Sequence, residues 1–251
     1  MSDRALEGRI ALVTGASRGL GRASAQRFAR DGATVLAHYG SSKGDADSLV
    51  AEIEAAGGRV ELLQADLSTA DGVAQLVAAT KDALGDRSLD ILFNNAGVAE
   101  FVDFADTDAE TLDRQYAVNV RAPFLLSQGL ADRIADGGSI LFTSSIVAKT
   151  YFDGVPAYSI TKGAVDTLVR HLAALFGPRG IRVNAVAPGA IDTDMSAWLR
   201  SEEGAANAKS IQALQRVGRP DDIAGVAAFL ASNDAGWVTG QVLDASGGSK
   251  L

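Results

Sequence analysis

Tyr158 and Lys162, in the stretch Tyr158-Ser159-Ile160-Thr161-Lys162, are the residues of this chain best suited to moving a proton. On a helix they fall on one face, a turn apart. A free phenol titrates near ~10 and is a poor base at neutral pH. An ammonium ~4.5 Å away, at an effective dielectric of ~20, is worth about 3–4 kcal/mol. Desolvation opposes it, so the spacing predicts a phenol lowered by roughly two pKa units, toward the range of a general acid–base. Such pairs also occur as plain helix-surface neighbours, so the other polar residues must decide. Thr143-Ser144-Ser145 closes an apolar run upstream. A serine hydroxyl there could donate to an oxygen on which charge develops. Ser144 and Ser145 are rivals on position alone.

A second group of residues suits an anion. Leu12-Val13-Thr14-Gly15-Ala16-Ser17-Arg18-Gly19-Leu20-Gly21 follows a strand signal and opens a helix. Gly15 permits a tight turn, Gly19 lets the backbone approach a pyrophosphate, and Gly21 allows close packing of helix and sheet. The helix start offers free N–H groups and the positive end of a dipole. Glycine at such corners can serve geometry alone, so the weight comes from its place at the first strand of a βαβ pattern. The second strand ends in Ala37-His38-Tyr39-Gly40-Ser41-Ser42-Lys43, with no carboxylate before Asp45. A carboxylate would repel a 2′-phosphate, whereas the hydroxyls of Ser41 and Ser42 and the cations of Lys43 and Arg18 would accept it. The charge pattern favours NADP(H) over NAD(H). Capping of the next helix by Ser41–Lys43 is the alternative reading.

These residues need a frame. Short apolar runs at Ile10–Thr14, Thr34–His38, Val60–Gln64, Asp90–Asn94, Ser139–Thr143, Arg182–Ala187 and Gln241–Asp244 read as strands. Amphipathic stretches near 20–31, 43–56, 69–84, 108–135, 157–177 and 220–231 alternate with them. The pattern predicts an α/β fold with a parallel seven-stranded sheet and helices on both faces, its ligands at the strand C-terminal edge. No linker or second core interrupts residues 1–251, which read as a single domain. Residues 190–215 carry few strand signals and suit a lid.

Composition removes other classes. Net charge is −8, from 23 basic and 31 acidic residues, which argues against nucleic acid and anionic membranes as partners. The absence of cysteine excludes disulfides and thiolate metal sites, and two histidines make a histidine metal site a poor reading. No metal is expected. The start, Met1 to Gly8, lacks the apolar stretch of a signal peptide, and no apolar run approaches the ~18 residues of a membrane span. A cytoplasmic protein is the expectation. His38 and His171 read as structural or surface residues, and Trp237, which precedes the Val238-Thr239-Gly240 approach to the last strand, reads as structural.

Taken together, from Gly8 to Gly247-Gly248, these motifs resemble the short-chain dehydrogenase/reductase family, most closely the branch of 3-oxoacyl-carrier-protein reductases and glucose dehydrogenases. The resemblance implies a doubly wound Rossmann fold in one domain, commonly a homotetramer. It selects Ser145, thirteen residues before Tyr158, as catalytic serine. It gives Asn119 the role of kinking its helix and holding a water in a proton relay to Lys162. It assigns Asp66 and Leu67 to adenine, Asn95, Ala96 and Gly97 to the cofactor ribose, and Pro188, Gly189, Ile191 and Thr193 to the nicotinamide carboxamide. Tyr158 and Lys162 would also touch the cofactor. Ala148 departs from the glycine common three residues after the serine. The expected activity is an NADP(H)-dependent interconversion of a carbonyl and a secondary alcohol, as in a 3-oxoacyl thioester reductase. Apolar residues Val147, Tyr151, Phe152, Val155, Met195, Trp198 and Leu199 would wall the small-molecule substrate or, in the alternative reading, pack the lid against the body. The alternatives are an NAD-dependent sugar or alcohol dehydrogenase and, in another class, a catalytically silent nucleotide-sensing protein.

Overall fold

The computed structural model describes residues 4–251; Met1, Ser2 and Asp3 of the N-terminal stretch read above lie outside them. Strands β1 (Ile10–Val13), β2 (Thr34–Tyr39), β3 (Arg59–Gln64), β4 (Leu89–Asn94), β5 (Ile134–Thr143), β6 (Arg182–Pro188) and β7 (Val242–Ala245) form one sheet in the order β3-β2-β1-β4-β5-β6-β7. Every neighbouring pair is parallel. Parallel neighbours require crossovers, and the crossover helices cover both faces. They are α1 (Gly19–Arg30), α2 (Lys43–Ala55), α3 (Ala70–Leu84), α4 (Ala109–Tyr116), α5 (Ala122–Gly129), α6 (Pro156–Phe176), α7 (Glu202–Ser210) and α8 (Pro220–Ala231).

Strand composition follows from this double coverage. Every residue of β1 and β6 is buried, while β3 at the sheet edge alternates in exposure. Successive side chains of β1 enter different cores. Leu12 packs with Leu76, Leu126 and Val169 of α3, α5 and α6, and Val13 packs with Phe28, Leu49 and Ile223 of α1, α2 and α8. The strand order turns back between β1 and β4, so the chain leaves these two neighbours in opposite directions. That crevice is where a doubly wound α/β sheet binds its ligand.

Two sequence expectations change, in the 108–135 stretch and at Trp237. The 108–135 pattern is not one helix. It is α4, a π-helical turn at Ala117–Arg121, then α5, and β5 already begins at Ile134. Gly137 takes φ +75°, and a Cβ on Gly138 would come within 2.9 Å of the Asp90 carbonyl. Glycine thus allows an early approach of β5 to β4, with a register shift between Leu89 and Ile91. The 190–215 segment holds a 3-10 helix at Asp194–Arg200 and then α7. Trp237 is not packed but fully exposed, because its neighbour Val238 takes the place against the core. Among the described residues no helix is long and apolar enough to cross a membrane.

Candidate active site

The glycine turn between β1 and α1 is held from three sides. Gly15 adopts φ +64°, and a Cβ there would meet the Ala96 backbone at 3.0 Å. A Cβ on Gly21 would lie 2.1 Å from the Gly15 carbonyl and 2.5 Å from Asn95 Nδ2. The tight contact that glycine permits is therefore between the first turn of α1 and the loop itself. Asn95 Nδ2 donates to the Thr14 carbonyl at 2.9 Å, and Thr14 Oγ1 accepts from the N–H groups of Asn95 and Ala96, both at 2.9 Å. On the third side, the Gly15 N–H donates to His38 Nδ1 at 3.2 Å. Gly19 takes φ +55° beside the Thr193 methyl, bringing the start of the 190–215 segment against the loop. Ser17 is buried, Leu20 is half-buried, and Arg18 is exposed at the N-cap of α1, 4.0 Å from Asp194.

The end of β2 is open. Ser41 is exposed, and Ser42 stands at the N-cap of α2 without a side-chain cap bond, so the hydroxyl is not used as a helix cap. Lys43 turns to Asp47 at 2.7 Å. Beyond β3, the exposed carboxylate of Asp66 accepts the Ser68 N–H at 2.9 Å, and the Ser68 side chain, with that N–H, lowers its pKa, while Leu67 is buried in the core. Pro188 ends β6. A Cβ on Gly189 would press on Ser246 at 2.9 Å, and Ile191 bridges to Gly218. Thr193 caps the 3-10 helix in a reciprocal pair with Ser196.

Beside this crevice the predicted proton-transfer residues converge. Ser145 follows β5 with its hydroxyl beside the Tyr158 phenol, where it pulls the phenol's pKa down. Lys162 is buried a turn further along α6, its Nζ 5.4 Å from the Tyr158 ring centre. That ammonium donates to the Thr143 carbonyl at 2.8 Å. Asn119 lies in the π-helical turn with 2% exposure. Its Nδ2 donates to the Val98 carbonyl at 2.8 Å and to Thr161 Oγ1 at 3.1 Å, and its Oδ1 accepts the Val98 N–H at 2.9 Å. Asn119 thus pins the strand-end loop to α6. A Cβ on Gly97 would fall 3.2 Å from Asn119 Oδ1 and 3.6 Å from Lys162 Nζ, so Gly97 leaves space where these groups meet. Ala148 fits the short 3-10 turn that Ser145 opens.

The electrostatics differ from the expectation of a lowered phenol. Burial pushes the Tyr158 pKa above its ordinary value, against the pull of the Ser145 hydrogen bond. Burial also brings Lys162 down to about 8, with Asp166 opposing. The ammonium is spent on a carbonyl and is itself desolvated, so desolvation of the phenol wins. At neutral pH this tyrosine carries its proton.

The chain matches, over residues 15–250, a family model described as Enoyl-(Acyl carrier protein) reductase. Versicolorin reductase 1 of Aspergillus parasiticus is 39% identical over 99% of this chain and 99% of its own. The chain belongs to the short-chain dehydrogenase/reductase family. Among solved members, a promiscuous reductase that performs keto-reduction at C1 in lugdunomycin biosynthesis is 43% identical, with TM-score 0.92 over 97% of this chain and 98% of that one. The angucycline C-6 ketoreductase LanV with bound NADP is 38% identical, with TM-score 0.94 over 98% and 97%. As a short-chain dehydrogenase/reductase, the protein is an oxidoreductase acting on the carbonyl–alcohol pair.

Sequence reasoning passed over Asp166 and read His38 only as a structural or surface residue. Asp166 is buried four residues beyond Lys162 and accepts from Ser144 Oγ, so the serine next to Ser145 is tied to the lysine helix. An acid four residues after a lysine on an apolar helix face was the available signal. His38 interrupts the apolar run of β2, which signalled a buried ring with partners.

Proposed function

We propose that the protein uses NADPH to reduce a ketone on a flat, fused-ring molecule to a secondary alcohol. The observation that carries this reading is the convergence of the Tyr158 phenol, the Ser145 hydroxyl and the Lys162 ammonium, whose Nζ lies 5.4 Å from the Tyr158 ring centre, with burial holding the phenol in its protonated form. Such a phenol is charged with the proton that a reduction consumes. Ser145 donates to the carbonyl oxygen and holds it. Tyr158 gives its proton as negative charge develops there. Lys162 remains largely cationic at neutral pH and steadies the resulting tyrosinate. Asn119 and Thr143 hold the elements on which that pocket rests.

The residues present fit a nicotinamide dinucleotide. Gly19 in left-handed backbone at the start of α1, where first-turn N–H groups lack helical partners, suits the pyrophosphate. Arg18, Ser41 and Ser42 would take a 2′-phosphate. Asp66 and Leu67 would flank adenine. Asn95, Ala96 and Gly97, with Tyr158 and Lys162, would hold the ribose near the reacting carbon. Pro188, Gly189, Ile191 and Thr193 would hold the carboxamide. When bound, the dinucleotide supplies the hydride.

Large apolar side chains at the same sheet edge favour a fused-ring substrate over a linear 3-oxoacyl thioester. Phe104 (85% exposed) follows β4, Tyr151 (77% exposed) follows β5, and Met195 and Trp198 follow β6. A Cβ on Gly154 would lie 3.6 Å from Asp103, so the first two of these loops meet. With the 190–215 segment as lid, they form an aromatic wall of the kind that takes planar ligands. Named relatives that reduce angucycline and versicolorin support the same reading. Exposed Leu112, Tyr116 and Phe124 on α4 and α5, with Ile160 and Leu175 on α6, support a homotetramer, which light scattering checks.

The test is NADPH oxidation with fused-ring ketones, quinones, acetoacetyl thioesters and sugars. Fused-ring ketones are expected to have the highest kcat/KM. Tyr158→Phe should lower turnover about a hundredfold or more while leaving NADPH binding intact. Near-normal turnover in that variant would overturn the mechanism.

A further inference from the structure

His38 is a buried imidazole that the mechanism does not use. It has 2% exposure and sits at the penultimate position of β2, level with Leu63 of β3. Both ring nitrogens are engaged. Nδ1 is 3.2 Å from the Gly15 nitrogen and Nε2 is 3.2 Å from the Ala65 carbonyl oxygen. A backbone N–H can only donate and a carbonyl can only accept, so one arrangement satisfies both: a neutral ring with hydrogen on Nε2. The backbone of the same residue acts too, because the His38 carbonyl accepts the Ala16 N–H at 2.8 Å. Two successive N–H groups of the glycine turn thus end on one residue. Gly15 needs the support, since its φ of +64° and its contact with Ala96 leave little else to define the turn on this side. The far end of the ring holds Ala65, the residue before Asp66, where β3 gives way to the proposed adenine side of the crevice.

We propose that His38 is a positioning residue for the cofactor. Its neutral Nε2–H ring spans the pyrophosphate turn at Gly15 and the adenine-side backbone at Ala65, and so fixes their separation. The inference rests on the dinucleotide reading above. The ring touches neither substrate nor reacting atoms, so it acts on how tightly the dinucleotide binds and not on the chemical step. Losing an acceptor for a buried N–H leaves that donor unsatisfied and lets the turn drift.

Three variants separate the two ends of the ring. His38→Leu removes both bonds. His38→Asn keeps an acceptor, Oδ1, near the place of Nδ1. His38→Gln keeps a donor, Nε2, near the place of the ring Nε2. NADPH dissociation constants from calorimetry should weaken about tenfold in His38→Leu. They should recover most of that loss in His38→Asn and little in His38→Gln, with kcat at saturating NADPH within about twofold of native throughout. Nitrogen-15 spectra of the unliganded native protein should show a bare Nδ1 and a protonated Nε2. Unchanged affinity in His38→Leu, or hydrogen on Nδ1, would overturn the role. Should His38→Leu not fold, the Asn and Gln variants and the ring spectrum still decide. A native chain that bound neither NADPH nor NADH would be a distinct result: it would remove the dinucleotide reading, and the positioning role with it, even where the spectrum matched.

Discussion

Position 97 shows how little room the proton-transfer residues leave. A methyl there would stand 3.2 Å from Asn119 Oδ1 and 3.6 Å from Lys162 Nζ. Gly97→Ala should therefore displace the Asn119 bond to Val98 or push Lys162 aside, at a cost of about 1–3 kcal/mol in stability. Thermal unfolding checks this, and turnover should fall with it. The tyrosine and lysine could be read from the chain because helical spacing places them on one face whatever the tertiary structure. The direction of the Tyr158 shift could not. It depends on how deeply both groups are buried and on the Thr143 carbonyl, which comes from another strand. The partners of His38 were hidden for a related reason: they lie 23 and 27 residues away, and only strand pairing brings them together.

At element scale, the βαβ unit formed by β1, α1 and β2 carries the residues proposed to bind the 2′-phosphate and pyrophosphate. Arg18 has an exposed guanidinium and a long 4.0 Å approach to Asp194, and Ser42 has a hydroxyl that does not cap α2. An Arg18→Ala/Ser42→Ala double variant should lose roughly tenfold in NADPH affinity while NADH affinity holds, because only the 2′-phosphate would meet these groups. Parallel titrations of the two dinucleotides check it, and equal losses would reject the assignment. The start of α1 was legible from its glycines and that of α6 from the amphipathic pattern beginning near 157. The break within 108–135 was legible only through the kink that the family resemblance gave Asn119, because the helical periodicity alone runs through residues 117–121. What stops a continuous helix there is Asn119, drawn inward by Val98 and Thr161, partners that the local pattern does not contain. The wider turn adds a residue to the helix circumference and so rotates α5 relative to α4.

At the scale of the molecule, the seven strands and their coverage were readable because a buried parallel strand has an apolar run with few alternatives. The β5 start escaped because Gly137 and Gly138 carry turn character in isolation and act as strand only against Asp90. The whole fold also inherits the burial of His38, whose pKa falls from 6.5 to about 4. The unfolded chain then binds the extra proton more readily than the folded one. Stability is fully present above about 6.5 and is lost as pH falls toward 4. Melting followed from pH 6.5 to 5 should show a loss of about 2 kcal/mol, and His38→Gln should flatten that slope. The loops bearing Phe104, Tyr151 and Trp198 all leave the sheet at one rim. The glycines of the opposite rim, Gly57 and Gly85, face open space. The scaffold is therefore divided into a tuning end and a holding end. Under the proposed function, loops exchanged at the first should redirect which ring system is accepted, while insertions at the second should leave Ser145, Tyr158 and Lys162 undisturbed.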